Sequence, residues 1–485
     1  MQNKLYMFAS NHIVKSFLWV YSETITKQLV GVLIIIVLAR LLRPSDFGTL
    51  ALVTVFIAIA DVFVSSSFSM ALIQKKDTDA LDYDSMFWFT AALAVLIYAL
   101  LFVCAPYLGA YYGNDELVPV FRVLALRIPL SAYNSVQTAY VAKEMIFRKS
   151  FLSTSGGAIL SGVLGVAMAY GGAGLWALVA QSLANVLLNT VFLAVIVSWK
   201  PHMQFSAERL KGLVGFGWKL LATGLMFTVY SELRSLVIGK KYSPSDLGFY
   251  NRGNQFPSVI ASNIDSSITR VMFPALSARQ GDAAGLLSMT RRAAKTSAYI
   301  MTPVLFGLAV VAEPFVELLL TAKWLPCVPY IQIMCIVWWM QPTQTCSIQA
   351  IKAIGRSDLY LRIELWSKLV GISSLVYAVY AYDTPFAVAV SALFAQCAAV
   401  LLYGRYASQY IGYRLRDQFV DLMIPAILAA GMAVVIYSLR FLFEEPLLVF
   451  GVQIVAGGSI YLFLSMLFRV EAFDYLKNMA VRARR

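Results

Sequence analysis

Twelve ionisable residues are the candidates for charge at depth within stretches otherwise apolar enough to cross a membrane: Glu23, Lys27, Asp61, Arg122, Arg127, Lys219, Glu232, Arg234, Arg252, Asp265, Glu364 and Lys368. A charged side chain at bilayer depth costs at least about 2.5 kcal/mol, so each needs a partner, a wet cavity or a helix end. Glu23 with Lys27, and Glu364 with Lys368, stand four apart, the acid first, the order in which two helical neighbours neutralise each other or line a cavity together. Lys219 is placed to snorkel toward an interface or to enter a cavity. Arg122, Arg127 and Arg252 have no acid at helical spacing. A guanidinium keeps its charge at any working pH and offers a fork matched to phosphate or carboxylate oxygens, so these three are the candidate ligands for an anionic group. Asp61, Glu232 and Asp265 are the candidates for proton or sodium coupling, and each equally suits a salt bridge to a nearby arginine. Asn134, Asn251, Asn254 and Gln255, with Tyr133, Tyr140 and Tyr250, add polar and aromatic surface that lipid does not favour. It fits sugar hydroxyls and ring faces, or hydrogen bonds between helices.

Other chemistry finds little to work with. Only two histidines exist, His12 and His202, too far apart to make a metal site or a nucleophilic relay expected. Cys104, Cys327, Cys335, Cys346 and Cys397 show no paired spacing and read as small buried hydrophobes. Gly212, Gly215 and Gly217 precede Lys219 without the spacing of a phosphate-binding loop, so no nucleotide, cofactor or metal is expected.

These residues must be positioned by membrane helices. Of 485 residues, 60% are hydrophobic and 13% charged, against about 25% charged in soluble domains. Windows of about twenty residues give spans near 17–39, 46–68, 84–106, 116–140, 151–171, 174–198 and 213–238. A second series lies near 247–270, 296–320, 325–350, 359–381, 385–408, 419–440 and 447–468. The reading is an all-α polytopic membrane protein of about fourteen spans; the runs are about twice the length of a barrel strand. The first apolar run is too long for a signal core. Placing the amino terminus and alternate loops in the cytoplasm gathers most of the 39 Lys and Arg there, including Lys75, Lys76, Lys143, Arg291, Arg292, Lys295 and the tail Arg482, Arg484 and Arg485. Both termini are therefore expected in the cytoplasm. The same bias accounts for most of the +13 net charge, and no nucleic-acid motif accompanies it.

The chain also repeats itself. Pro44-Ser45-Asp46-Phe47-Gly48 returns 200 residues later as Pro244-Ser245-Asp246-Leu247-Gly248. Ser66-Ser67 and Ser266-Ser267 keep that offset, and Pro129 before Ser135-Val136-Gln137 echoes Pro342 before Ser347-Ile348-Gln349. Spans one, two and four correspond to seven, eight and ten. A step of six spans gives two parallel lobes, the arrangement of alternating-access transporters: residues 1–205, residues 206–412, and two further spans with a basic tail over 413–485. Pro129, Pro257, Pro303, Pro342 and Pro425 are expected to bend their helices.

Val37-Leu38-Ala39-Arg40-Leu41-Leu42-Arg43-Pro44-Ser45-Asp46-Phe47-Gly48 resembles the first-span signature of the polysaccharide transporters in the multidrug/oligosaccharidyl-lipid/polysaccharide (MOP) flippase superfamily. Tyr250-Asn251-Arg252 with Gln255-Phe256-Pro257, then Phe273-Pro274-Ala275-Leu276-Ser277, resemble its eighth span and the loop behind it. Lys352-Ala353-Ile354-Gly355-Arg356 resembles the turn after the tenth. The likeness runs over most of residues 1–410 and is nearest to Wzx-type exporters of colanic or teichuronic acid. It implies a MATE-like fold of two six-helix lobes plus two C-terminal helices in the cytoplasmic (inner) membrane. It also implies a flippase for an oligosaccharide on a polyprenyl diphosphate, with membrane lipids and other polysaccharide-assembly proteins as partners. In that setting Arg122, Arg127, Arg252, Lys27, Lys219, Asn251, Tyr250 and Asn134 are the residues expected to line a cationic central cavity. The rivals are an ion-coupled exporter of drugs, which would favour an acidic cavity, and a membrane-embedded polymerase or ligase, which would need a sizeable outer loop.

Overall fold

A computed structural model describes residues 2–279, 281–442 and 445–483; Arg484 and Arg485 of the basic tail lie outside the described residues, and no strand occurs among those described. The chain divides into two compact units, Met1–Gly248 and Phe249–Arg485. The first contains α1 (Gln2–Leu41), α2 (Pro44–Asp61), α3 (Ser67–Gln74), α4 (Ala80–Tyr112), α5 (Leu117–Leu124), α6 (Arg127–Lys143), α7 (Phe147–Tyr170), α8 (Leu175–Ile196) and α9 (Ala207–Lys241). A π-helical turn, Val62–Ser66, joins α2 to α3. The helix α10 (Pro244–Ser277) begins with the last residues of the first unit and continues as the first helix of the second. It is followed by α11 (Ala283–Leu319), α12 (Val328–Trp339), α13 (Gln341–Ala353), α14 (Ser357–Ala381), α15 (Pro385–Ile411), α16 (Leu415–Ser438), α17 (Pro446–Leu467) and α18 (Glu471–Ala483).

Ten stretches of the described chain are long and apolar enough to cross a bilayer by themselves. The other four segments read as spans are α5 with α6, α10, α12 with α13, and α14. Each is helical, but broken or rich in polar residues, which is why apolarity alone passes over them. They are also where most of the candidate site residues lie.

Local sequence explains the helix starts. Asp79 accepts from the Asp82 backbone N–H at 3.0 Å while Asp82 accepts from that of Asp79 at 3.2 Å, a reciprocal cap that opens α4. In the repeated motif Asp46 accepts from the Arg43 N–H at 3.0 Å, and Asp246 from the Ser243 N–H at 3.1 Å, so both copies start a helix the same way, with Pro in the first turn. The copies also touch reciprocally. A Cβ on Gly48 would stand 1.7 Å from the Pro244 carbonyl oxygen, and one on Gly248 would stand 2.3 Å from that of Pro44. Glycine at both positions is thus a packing requirement, since it alone lets the two helix starts meet.

The compact units divide the chain later than residue 205. Helix α9 packs against α2, α3 and α4, and electrostatics fix it there. The fully buried Asp82 carboxylate lies 2.6 Å from Lys75 and 3.7 Å from Arg209 of α9, and Arg209 also reaches Asp79 at 3.3 Å. The connection before α9 is tied down too: His202 donates its backbone N–H to Asp84 at 3.1 Å, and Ser206 donates to Ser85 at 2.9 Å.

The second unit repeats the device with the signs exchanged. Arg291 at the start of α11 donates to the buried Asp421 of α16 at 2.8 and 3.2 Å, and Tyr413 donates to the same carboxylate at 3.0 Å. Lys295, one turn on from Arg291, pairs with Glu471 and holds that carboxyl below its usual range. Apolar clusters fill the interior behind these anchors. One is built on Phe68, Leu72, Tyr83, Met86 and Val136 in the first unit, another on Met272, Leu276, Ile351, Ile363 and Tyr403 in the second.

Candidate functional site

The fourth span of each unit is discontinuous. Helix α5 stops at Leu124 and α6 starts at Arg127, with Pro129 in its first turn; α12 stops at Trp339 and α13 starts at Gln341, with Pro342 second. Proline lacks the N–H and crowds the preceding turn, so the chain releases the old helix and begins a new one where proline is tolerated. Each break brings polar groups to mid-span, and in both units a carboxylate from the helix two spans earlier faces it.

In the first unit that carboxylate is Asp61, the last residue of α2, where the π-helical turn begins. A π turn inserts an extra residue and re-aims the side chains around it. Asp61 lies within electrostatic reach of Arg127 and accepts a hydrogen bond from Ser131. Arg127 donates to Ser182 of α8 at 2.9 Å. Asp61 Oδ1, Arg127 Nε and Asn134 Oδ1 are buried without a protein hydrogen-bond partner, so this constellation keeps unused donor and acceptor capacity.

In the second unit the carboxylate is Asp265 of α10. It accepts from the Thr345 hydroxyl and from Gln341, both on α13. Gln396 of α15 donates to Gln344 at 2.8 Å and to Gln341 at 3.3 Å, while Gln341 donates to Thr345 at 3.4 Å. Where the first unit sets an arginine against its aspartate, the second sets neutral amides and a hydroxyl.

The remaining candidates are dispersed. Arg252, on α10, donates to Gln255, and on the same helix Asn254 accepts from Trp338 at 2.9 Å. Gly253 between them brings the backbone against Tyr330 and Cys327, so Arg252 sits where α10 and α12 approach closely. Tyr250 is buried against Tyr330 with ring centroids 6.1 Å apart, with Asn251 half-buried beside it. Arg122 does not join Arg127: its guanidinium stacks 4.3 Å from the Phe102 ring centroid. Lys27 and Lys219 are exposed. Glu232 is half-buried on α9, two residues from the buried Arg234. Glu364 and Lys368 form the pair their spacing predicts, at 3.2 Å, and Glu364 also accepts from Tyr403. Glu23 accepts from Ser150 at 3.2 Å.

Sequence reasoning passed over Ser131, Ser182, Gln341, Gln344, Thr345 and Gln396. The available signal was their nearness to Pro129 and Pro342; neutral polar residues in an apolar run carry no sign that separates a ligand from a helix-to-helix hydrogen bond.

Comparison with known proteins places this arrangement. A family model described as polysaccharide biosynthesis protein matches residues 37–329. The chain is 25% identical over 435 residues to the teichuronic acid biosynthesis protein TuaB of Bacillus subtilis, covering 87% of this chain and 88% of that one. It is 24% identical over 425 residues to the lipopolysaccharide biosynthesis protein WzxC of Escherichia coli, covering 86% and 85%. Among solved structures, the lipid II flippase MurJ in an inward closed conformation superposes with a TM-score of 0.74 at 14% identity, over 93% of this chain and 99% of that one. An inward-facing MATE transporter of the MOP superfamily gives 0.62 at 13% identity, over 80% and 94%. The fold is therefore the MOP fold, and with a family match spanning well over half of its length, the chain belongs to the polysaccharide biosynthesis protein family.

Proposed function

We propose that this protein is a flippase that carries a polyprenyl-diphosphate-linked oligosaccharide from the cytoplasmic to the outer leaflet of the inner membrane. The two lobes take turns in opening a cationic passage to either side, the polyprenyl tail stays in lipid, and both termini remain in the cytoplasm. The reading is supported by the family, by relatives that serve the synthesis of teichuronic acid and lipopolysaccharide, and by a fold shared with a lipid II flippase.

The observation that carries it is the placement of two arginines within helices that cross the bilayer. Arg127 stands at the break of the fourth span with Ser182 and Asp61 around it, and Arg252 stands about 12 Å along α10 from its first residue, at the helical rise of 1.5 Å per residue. Guanidinium groups at such depth cost free energy to retain, and an anionic headgroup returns it through forked hydrogen bonds. No covalent bond of the substrate is made or broken in this mechanism. Arg127 and Arg252 orient the diphosphate, and the amides nearby offer hydrogen bonds to sugar hydroxyls as water is left behind.

The test is reconstitution of the purified protein in vesicles with a labelled polyprenyl-diphosphate oligosaccharide, following its arrival in the opposite leaflet. Movement well above that in protein-free vesicles is expected, with Arg252→Ala slowing it at least tenfold and Lys323→Ala leaving it unchanged. Movement no faster than in empty vesicles would overturn the reading.

A further inference from the structure

Two clefts of the second unit meet where the span formed by α17 ends. The first, of about 460 Å³, is walled by Ile424, Ile427 and Leu428 of α16 with Leu464 and Phe468 at the end of α17. Ile424, Ile427 and Phe468 are exposed, so these walls are apolar surface turned to the membrane. The second, of about 410 Å³, lies between α11 and α18 and is lined by Arg292 and Lys295 with Glu471, Asp474 and Tyr475. Lys295 and Glu471 border both, so the apolar cleft continues into a charged one. A molecule that fills the two has an apolar chain and a charged head.

Depth and charge narrow its identity. From Asp421 to Gly431, both in its wall, the apolar cleft follows α16 for about 15 Å at the helical rise. That is one leaflet of a hydrocarbon core about 30 Å thick, the reach of an acyl chain of the bilayer itself. At the mouth stands Arg469, which lines the same cleft and makes no ion pair among the described residues. Exposed carboxylates stand among the bases: Glu471, which gives Lys295 one of its two oxygens, and Asp474. A headgroup with negative charge alone would face both carboxylates, and one with positive charge alone would face Arg292, Lys295 and Arg469. A zwitterion answers both sets, since phosphate suits a guanidinium fork and a primary ammonium brings three N–H donors to carboxylate oxygens.

The backbone at Arg469 is an independent observation. Its φ of +48° is left-handed, one residue past the Phe468 cap of α17, a position that helices usually give to glycine. An L side chain is disfavoured in that conformation, so the turn gains nothing from arginine. What the residue supplies is a cation at the cleft mouth.

From the joined clefts and this arginine we propose that the second unit binds one glycerophospholipid whose headgroup carries a phosphate and a primary ammonium. Its acyl chain lies along α16 and α17, its phosphate meets Arg469 and Lys295, and its ammonium meets Glu471 and Asp474. The lipid ties α18, whose Phe473 and Leu476 pack on the protein core, to the surface of the bilayer. Binding is independent of any transported substrate.

The test is native mass spectrometry of the full-length protein, stripped of lipid in detergent and mixed with phosphatidylethanolamine or phosphatidylglycerol of identical acyl chains, with thermal unfolding followed in parallel. One phosphatidylethanolamine per chain is expected, retained at least tenfold better than phosphatidylglycerol and raising the unfolding midpoint. Arg469→Gly should weaken that binding at least tenfold, yet unfold no earlier than the wild type when lipid is absent. Asp474→Asn should narrow the preference between the two lipids, and Ile427→Trp, which fills the apolar cleft, should weaken both. Lys477→Ala, on α18 but outside both clefts, should bind as the wild type. Equal retention of the two lipids, no retained lipid, or wild-type binding by Arg469→Gly would each overturn the proposal. So would displacement of the lipid by glycerophosphoethanolamine, which has the headgroup without chains, or retention of a polyprenyl phosphate in its place.

Discussion

The two units solve one structural problem with different chemistry. Each breaks its fourth span just before a proline and turns a carboxylate toward the break, yet Asp61 meets Arg127 and Ser131 whereas Asp265 meets Thr345 and Gln341. The anchors on the following lobe helices differ in the same spirit: α4 offers acids to Arg209 of α9, and α11 offers bases to Asp421 of α16. The repeated Pro-Ser-Asp-x-Gly motif starts both helices alike, through caps and close contact, whereas the charges at the two breaks differ. In the first unit the charge at the break is balanced internally. In the second it is met by a hydroxyl and an amide.

The largest effect is expected where the two motif copies meet. Gly48→Val places carbon atoms inside the space of the Pro244 carbonyl, so the helix starts must separate. Overpacking of this kind costs about 3 kcal/mol or more, and loss of monodisperse protein on size-exclusion chromatography is the readout. Gly248→Val should do the same. A benign Gly248 variant would show that the contact is not reciprocal.

Next comes the charge pair. Asp61→Asn removes the counter-charge of Arg127 within the span and should destabilise the protein by about 3 kcal/mol, seen in its thermal unfolding in mild detergent. Adding Arg127→Gln should recover most of that loss, since the pair is then replaced by two neutral groups. Simple additivity of the two single effects would contradict the pairing.

The smallest effect sharpens the comparison most. Asp265→Asn keeps an oxygen for Thr345 and removes a charge that meets only neutral hydrogen-bond donors, so stability should stay within about 1 kcal/mol of the wild type. A loss as large as that of Asp61→Asn would mean that the second unit also hides a charge partner.

Much of this arrangement was legible in the residues. Pro44 and Pro244, with Asp three residues into each motif and Gly at its end, announced both the repeat and the way each copy starts a helix. Of the five prolines expected to bend helices, Pro129 and Pro342 stand just after interruptions of the fourth and tenth spans while Pro257, Pro303 and Pro425 lie within continuous helices, and the spacing of Glu364 and Lys368 announced their pair. The contacts of Arg127 with Asp61 and Ser182 were not legible, because they join residues 66 and 55 positions apart and only the packing of spans brings them together. The packing of helix α9 on α2, α3 and α4 through Arg209 and the buried Asp82 was not legible either. A charged residue in the first turn of a helix gives no hint of which neighbour it will reach. Arg122 looked equivalent to Arg127, yet five residues across the interruption separate a guanidinium stacked on Phe102 from one at the break.

The central claim is that intramembrane arginines read the anionic linkage of the substrate, and it is tested by changing that linkage. Translocation in vesicles would be compared for two labelled oligosaccharides on the same polyprenyl tail, one joined through a diphosphate and one through an uncharged ether, with the wild type and Arg252→Gln. The account predicts that the wild type moves the diphosphate form at least tenfold faster, and that Arg252→Gln loses most of that preference while moving the neutral form as before. Equal rates for both linkages in the wild type, or an unchanged preference in Arg252→Gln, would contradict it.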